Sequence, residues 1–186
     1  LDNWGEVDCP HQGHPDRLKT PGVDMTSGIL GHGVAVGAGL ALAARLRKST
    51  ARTYVLIGDG ESQAGIVWEG AAAAAKYRLA NLVVILDLND VQLDGPVHEI
   101  MPMPDIEQRW KSYGWQVIEV NGHDVRQLVD AFELAKEIHD RPACIIARTT
   151  KGKGVFFMEN ESYWHGNVPN SEQLALALLE LNAKEG

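Results

Sequence analysis

Two short polar stretches of this chain carry residue types that could do chemistry: Gly58-Asp59-Gly60, and Asp87-Leu88-Asn89-Asp90-Val91-Gln92-Leu93-Asp94-Gly95. Each follows directly on an apolar run, residues 53–57 and 82–86. Thirty residues separate Asp59 from Asn89, about one helix plus one strand, so the two can be neighbours in space. Together they offer a carboxylate, a carboxamide and freed backbone carbonyls, with glycines for close approach. Hard oxygen donors of this kind suit Mg²⁺, with Ca²⁺ as a possible substitute, and Mg²⁺ usually shares its shell with phosphate groups.

Rival readings of the same residues are weaker. Gly58-x-Gly60 could open a dinucleotide-binding turn, but the next glycine, Gly65, breaks the G-x-G-x-x-G spacing. Asp59 between the two glycines would then face a pyrophosphate directly, which is unfavourable unless a divalent cation stands between them. Asp-Gly and Asn-Asp are also common turn pairs, and Asp94 before Gly95 is read as such a turn. Cys9-Pro10-His11-Gln12-Gly13-His14 offers three zinc-ligand types without a fourth. Lys151-Gly152-Lys153-Gly154 lacks the P-loop order and reads as a mobile loop near the site. His32, His98, His123 and His139 read as surface or capping residues, and Trp68, Trp110, Trp115 and Trp164 as packing or interface residues.

The elements that must position the two stretches follow from apolar patterning. Residues 33–46 read as a buried helix with almost no polar face, and 66–79 as an alanine-rich helix able to approach a neighbour closely. Residues 82–86 form a continuous apolar strand, the mark of a parallel sheet covered on both faces. A short helix at 105–113, strands at 115–120 and 143–148, and a last helix to about 181 complete the pattern, the last helix capped by Ser171. Asp124 reads as the cap of a helix with Val125, Leu128, Val129, Phe132, Ala135 and Ile138 on one face. Alternating strands and helices give an α/β fold, a doubly wound and mainly parallel sheet with helices on both faces. Ligands of such sheets sit beyond the carboxyl ends of the strands. Residues 1–186 read as one domain with an irregular N-terminal segment (1–30) and a C-terminal loop plus helix (151–186).

Composition excludes several classes. At 186 residues and 45% hydrophobic the chain can bury its own core. Its 17 basic and 25 acidic side chains give a net charge of −8, which argues against nucleic acid and anionic membranes. Two cysteines make no disulfide framework, and the reading is a reduced, cytoplasmic chain. Residues 25–44 are uncharged but carry five glycines, Thr26, Ser27 and His32, better suited to a buried helix than to a membrane span.

With these residues in view, the chain resembles the transketolase family, specifically its thiamine diphosphate-binding half. The GDG stretch followed by Asn89 looks like the thiamine diphosphate motif. Collinear matches run through Gly13-His14-Pro15-Asp16, residues 20–33, Asp94-Gly95, Tyr113-Gly114-Trp115, Lys151-Gly152-Lys153-Gly154 and Trp164-His165-Gly166. The resemblance implies that Asp59, Asn89 and the Val91 carbonyl hold Mg²⁺, and that Gly58 and Gly60 let the backbone reach the diphosphate. It places Gly28 and Leu30 at the aminopyrimidine, His14 in the substrate channel, and His165 near the diphosphate and reacting carbons as a proton-transfer group. The implied activity moves a two-carbon ketol unit from a ketose to an aldose, the substrates being sugar phosphates.

Three departures qualify that expectation. The histidine-bearing segment usual ahead of residue 1 is missing, and the abrupt start suggests a fragment or one half of a split protein. The pyrimidine-binding domain, source of the activating glutamate, is absent, so a partner subunit in a hetero-oligomer is implied, packed against the 66–79 helix. Ala64 replaces a glutamate that ordinarily joins a network between active sites, while Glu69 at the network's second acidic position is kept. A component of an α-keto acid dehydrogenase, or a non-catalytic cofactor-binding subunit, are the alternatives.

Overall fold

The computed structural model describes residues 3–183. Its strands, in chain order, are β1 (Thr53–Gly58), β2 (Leu82–Leu88), β3 (Val91–Gln92), β4 (Gly95–Pro96), β5 (Gln116–Asn121) and β6 (Ala143–Arg148). Four of them form a parallel sheet ordered β1-β2-β6-β5, and β3 with β4 makes a small antiparallel ribbon after β2. The helices are α1 (His32–Leu46), α2 (Gly65–Lys76), α3 (Val97–Ile100), α4 (Ile106–Ser112), α5 (Val125–Lys136) and α6 (Ser171–Asn182). From β2 the chain skips one position to β5, then returns to β6. Because parallel crossovers keep one hand, this reversal must move the connecting helix to the other face.

It does. Val34 and Ala41 of α1, Val67 and Ala71 of α2, and Ile106 and Trp110 of α4 share one apolar cluster with Ile57, Leu82 and Leu86. Ala131 and Ala135 of α5 pack with Val83, Ala143 and Ile145 on the opposite side. The expected doubly wound sheet is therefore present, and β2 and β6 are buried on both faces, as their unbroken apolar runs require. The C-terminal ends of α1, α2 and α5 carry Arg45, Lys76 and Lys136 in their last turns, favourable to the negative end of the helix dipole. Arg52 adds to this by donating to the carbonyls of Ala135 and Lys136.

Small residues set how closely the layers approach. A Cβ on Gly37 would lie 2.5 Å from Val55, and one on Gly70 would lie 2.9 Å from the backbone nitrogen of Ala35. Gly70 thus marks the α1–α2 crossing, where the alanine-rich sequence of α2 lets two helix backbones nearly touch. Trp110 is fully buried, with its ring against Trp68 and Trp115. Its indole N–H is the buried side-chain donor without an acceptor among the described residues. Such an orphan costs about 1–3 kcal/mol, a sum that full burial of a large ring offsets.

Several local expectations need correction. α2 ends at Lys76 rather than near 79, since Arg78 adopts φ 48 and leaves the helical region. Val125 and Val129 are more than half exposed, whereas Phe132, Ala135 and Ile138 pack against the core as expected, joined by Ala131. The run of apolar residues at helical spacing is wider than the surface it meets. Asp124 is the cap, accepting from Arg126 and Gln127. α6 is capped by Asn170, not Ser171: Asn170 accepts from the Gln173 N–H while Gln173 reaches back, a reciprocal capping box.

Gly70→Ala should destabilise the fold. The helical gain of alanine over glycine is about 0.5–1 kcal/mol, while overpacking against an unyielding backbone costs about 1–3 kcal/mol. The urea midpoint should fall with the slope unchanged; an unchanged or higher midpoint would show that the crossing can relax.

Candidate functional site

The register of the parallel pair decides where the two polar stretches meet. Gly58 of β1 lies opposite Asp87 of β2, so the chain leaves the sheet at the same level on both strands. The Asp59 N–H donates to the Asp87 carbonyl, extending the ladder by one bond. The Asp59 side chain then turns across the gap. Its Oδ2 accepts from the backbone N–H groups of Asn89, at 3.1 Å, and Asp90, while Oδ1 accepts from the N–H of Gly60. Asp59 and Asn89 are therefore brought together, as their spacing predicts.

Asp59 is 3% exposed, the one buried acidic side chain among the described residues. Burial pushes its pKa up, opposed by the three N–H bonds and reinforced by the negative charge of Asp90. No ion pair among the described residues reaches Asp59, Asp87 or Asp90. A buried carboxylate with further carboxylates beside it and no cation is costly, and a hard divalent ion is the partner that relieves it. The donor set, one carboxylate, one carboxamide and adjacent backbone, fits such an ion.

Asn89 is oriented by its neighbours. Its Nδ2 donates to Asp87 Oδ2 at 3.2 Å, and its Oδ1 accepts from the N–H of Val91 at 3.0 Å. With the amide nitrogen committed to Asp87, the oxygen is the end left for a metal. Asp87 is in turn held by the Thr149 hydroxyl, at the end of the neighbouring strand β6. Asp87 and Thr149 escape a reading of the sequence alone. The signal for Asp87 is its place two residues before Asn89 on the same strand; Thr149 depends on β6 lying beside β2, which only the sheet order reveals.

Val91 is buried and opens β3, and a Cβ on Gly60 would lie 2.9 Å from the Gln92 side chain, so glycine lets the GDG turn close onto the ribbon. The 3-10 turn Ser162–His165, with His165 at its end, packs against β3. Desolvation and the nearby Lys151 charge lower the His165 pKa, which favours the neutral imidazole that can accept a proton. His123, expected at the surface or in a cap, accepts the Thr150 N–H at 2.7 Å and ties the segment that carries Lys151 to the end of β5.

His14, Gly28 and Leu30 lie apart from this, in a groove of ≈ 640 Å³ between the N-terminal segment, α1 and β1. Gly28 has φ 126, and a Cβ there would lie 2.7 Å from the His14 ring, so the imidazole rests on the glycine backbone. Leu30 is 66% exposed. Asn89, Asp87, Thr149 and Lys151 line a separate cleft of ≈ 630 Å³. The structure thus forms two half-sites, a polar one at the strand ends and a more apolar one before α1.

The raised pKa of Asp59 makes stability depend on pH with a defined sign. Above its folded-state pKa the buried carboxylate is charged and destabilises the ion-free protein. As pH falls through that pKa the penalty is lost, and the gain is complete below the unfolded value of about 3.8. Relative to Asp59→Asn, the wild-type protein should therefore gain unfolding free energy on acidification in the absence of divalent ions. Parallel pH profiles for the two proteins would show that the site carries no such penalty.

Comparison with known proteins agrees with this geometry. The family model described as "Transketolase, thiamine diphosphate binding domain" matches residues 1–181. A protein of Phocaeicola vulgatus named as one subunit of apulose-4-phosphate transketolase is 39% identical over 183 residues, covering 98% of this chain and 65% of that protein. Its namesake from Actinobacillus succinogenes is 41% identical over 181 residues, again with 65% of its length covered. The chain thus spans about two thirds of these relatives. Among solved structures, Campylobacter jejuni transketolase superposes with a TM-score of 0.81 at 27% identity, over 98% of this chain and 34% of that one. A Pichia stipitis transketolase complex with xylulose 5-phosphate gives 0.80 at 25% identity, over 98% and 32%. From strand-end geometry to family match, the chain belongs to the transketolase family and contains its thiamine diphosphate binding domain.

Proposed function

We propose that this chain is the diphosphate-binding part of a split transketolase, which transfers a two-carbon ketol unit between sugar phosphates together with a pyrimidine-domain partner subunit. The observation that carries the reading is the buried Asp59 carboxylate, in ion-pair contact with no basic side chain among the described residues and joined to the Asn89 segment across two parallel strand ends. The relatives named as single subunits of a transketolase support the division of labour. Asp59 Oδ, Asn89 Oδ1 and the Val91 carbonyl would hold a Mg²⁺ ion, or Ca²⁺ in its place, and its charge would neutralise the site. Gly58 and Gly60 leave room for the diphosphate, and Gly28 and Leu30 form one wall for the aminopyrimidine.

Thiamine diphosphate supplies, when bound, the electron sink for cleaving and remaking a carbon–carbon bond. The chain's own residues bind and move protons. His14, on the Gly28 backbone, hydrogen-bonds a hydroxyl or carbonyl oxygen of the donor sugar. His165, whose neutral form is favoured by desolvation and by Lys151, accepts and returns a proton close to the diphosphate. A reducing, cytoplasmic setting belongs to the same reading and rests on the free thiols of Cys9 and Cys144.

In the complex with its partner, Asp59→Ala should abolish Mg²⁺-dependent binding of thiamine diphosphate, measured by calorimetry, and ketose cleavage with it. Retained binding would refute the metal site. Turnover of an α-keto acid in place of a ketose phosphate would move the chain to a different thiamine enzyme, and cofactor binding with no turnover of either would make it a non-catalytic subunit.

A further inference from the structure

Glu61 follows the GDG turn immediately, and its carboxylate lies between the end of β1 and the second half-site. Oε1 accepts from the N–H of Gly31 at 2.7 Å, and Oε2 accepts from the N–H of Gly58 at 3.3 Å. One carboxylate thus bridges the loop before α1 and the last residue of β1. Gly31 is the N-cap of α1, has φ 81, and has no side chain to cap the helix; α1 carries no acidic residue in its first turn. Glu61 therefore supplies, from another element, the negative group that a helix N-terminus favours. The two loops are also in steric contact. A Cβ on Gly31 would lie 2.8 Å from the Ala64 Cβ and 2.9 Å from Ile66, so a small residue at 64 and none at 31 permit the junction.

We infer that Glu61 is a positioning residue that fixes the separation of the two half-sites, so that one ligand can engage both. The inference rests on the reading above, in which the diphosphate end of the cofactor lies on Gly58–Gly60 and its pyrimidine end against Gly28 and Leu30. Glu61 acts through the backbone N–H groups of Gly31 and Gly58. It holds Gly31, one residue beyond Leu30, in register with Gly58, one residue before Asp59, and lines the same groove as His14 and Leu30. Rigid pairing of two binding elements lowers the ordering cost of a ligand that spans them, and gives nothing to a ligand that needs only one. The role requires two acceptor oxygens. Glutamine has one, and its amide nitrogen would oppose a backbone N–H, breaking one of the two links. Aspartate is one methylene too short to span both.

The test compares two ligands on the assembled complex, each with Mg²⁺ and followed by calorimetry: thiamine diphosphate, which spans both loops, and inorganic diphosphate, which needs only the strand-end loop. Glu61→Gln, nearly isosteric and at a partly exposed position, should weaken thiamine diphosphate about tenfold, the loss expected for a charge-assisted hydrogen bond. Inorganic diphosphate should change less than about twofold, since it makes no use of the bridge. Equal losses for both ligands, or no loss for either, would overturn the inference; Glu61→Ala, if it folds, should reproduce the split. Asp59→Ala separates this from the underlying site, since it should lose both ligands. If the wild-type complex bound neither ligand, or bound both independently of Asp59, the cofactor site itself would be wrong and the Glu61 bridge would fall with it.

Discussion

A carboxylate with almost no solvent and no counter-charge is the constraint on which the rest of the structure depends. Asp59 could sit at the surface of a loop, as most Asp-Gly pairs do, and cost nothing. It is instead folded under the β2 exit, where three backbone N–H groups compensate it only partly and the neighbouring Asp90 adds repulsion. Hydrogen bonds from neutral donors lower the cost of burying a charge but do not cancel it. The arrangement therefore favours a cation, and under the proposed function a diphosphate arriving with a divalent ion would bring its own neutralisation.

Parallel pairing makes this arrangement inexpensive in chain length. Because β1 and β2 run the same way and are linked by α2, both exits lie at one level, and a polar residue just beyond each strand meets its counterpart without a long loop. Antiparallel neighbours would put the two exits at opposite ends. The third strand in the sheet order, β6, then delivers Thr149 to Asp87, which orients Asn89. Asp59, Asn89 and Asp87 are thus supported by three adjacent strand ends, each held by the sheet ladder, rather than by one turn.

The legible and illegible parts of the site divide along the same line. Asp59 and Asn89 can be paired from the sequence because each follows an apolar strand directly and a single crossover separates them. The strands and the burial of the central ones are equally readable, since both follow from local pattern. Thr149 and His123 are not, because their roles depend on β6 and β5 lying side by side at the level of β2, and strand order is not local information. Val125 and Val129 mislead for a related reason: helical spacing says which residues share a face, while the width of the opposing sheet decides how many of them are covered. Glu61 escapes notice because a carboxylate beside a phosphate-binding turn reads as solvent-facing until Gly31, thirty residues earlier in the chain, is seen to lie against it.

The two half-sites also differ in what they expose. At the strand ends Asp59 and Val91 are buried and Gln92 is pressed against Gly60, beside the cleft lined by Asp87, Asn89 and Thr149. The other half is open: Leu30 and Ile29 are 66% and 71% exposed, beside a groove floored by glycines of α1. An aromatic ring of a bound cofactor has two faces, and an apolar residue that still meets water on most of its surface can shield only one of them. Thiamine diphosphate bound to this chain alone would therefore be gripped by its charged end and left wet at the ring, where exclusion of water matters for the stability of charge on carbon. Exposed apolar surface next to the buried Asp59 is what the proposed sharing of a cofactor between two chains requires, since it leaves a second wall for the proposed partner to supply.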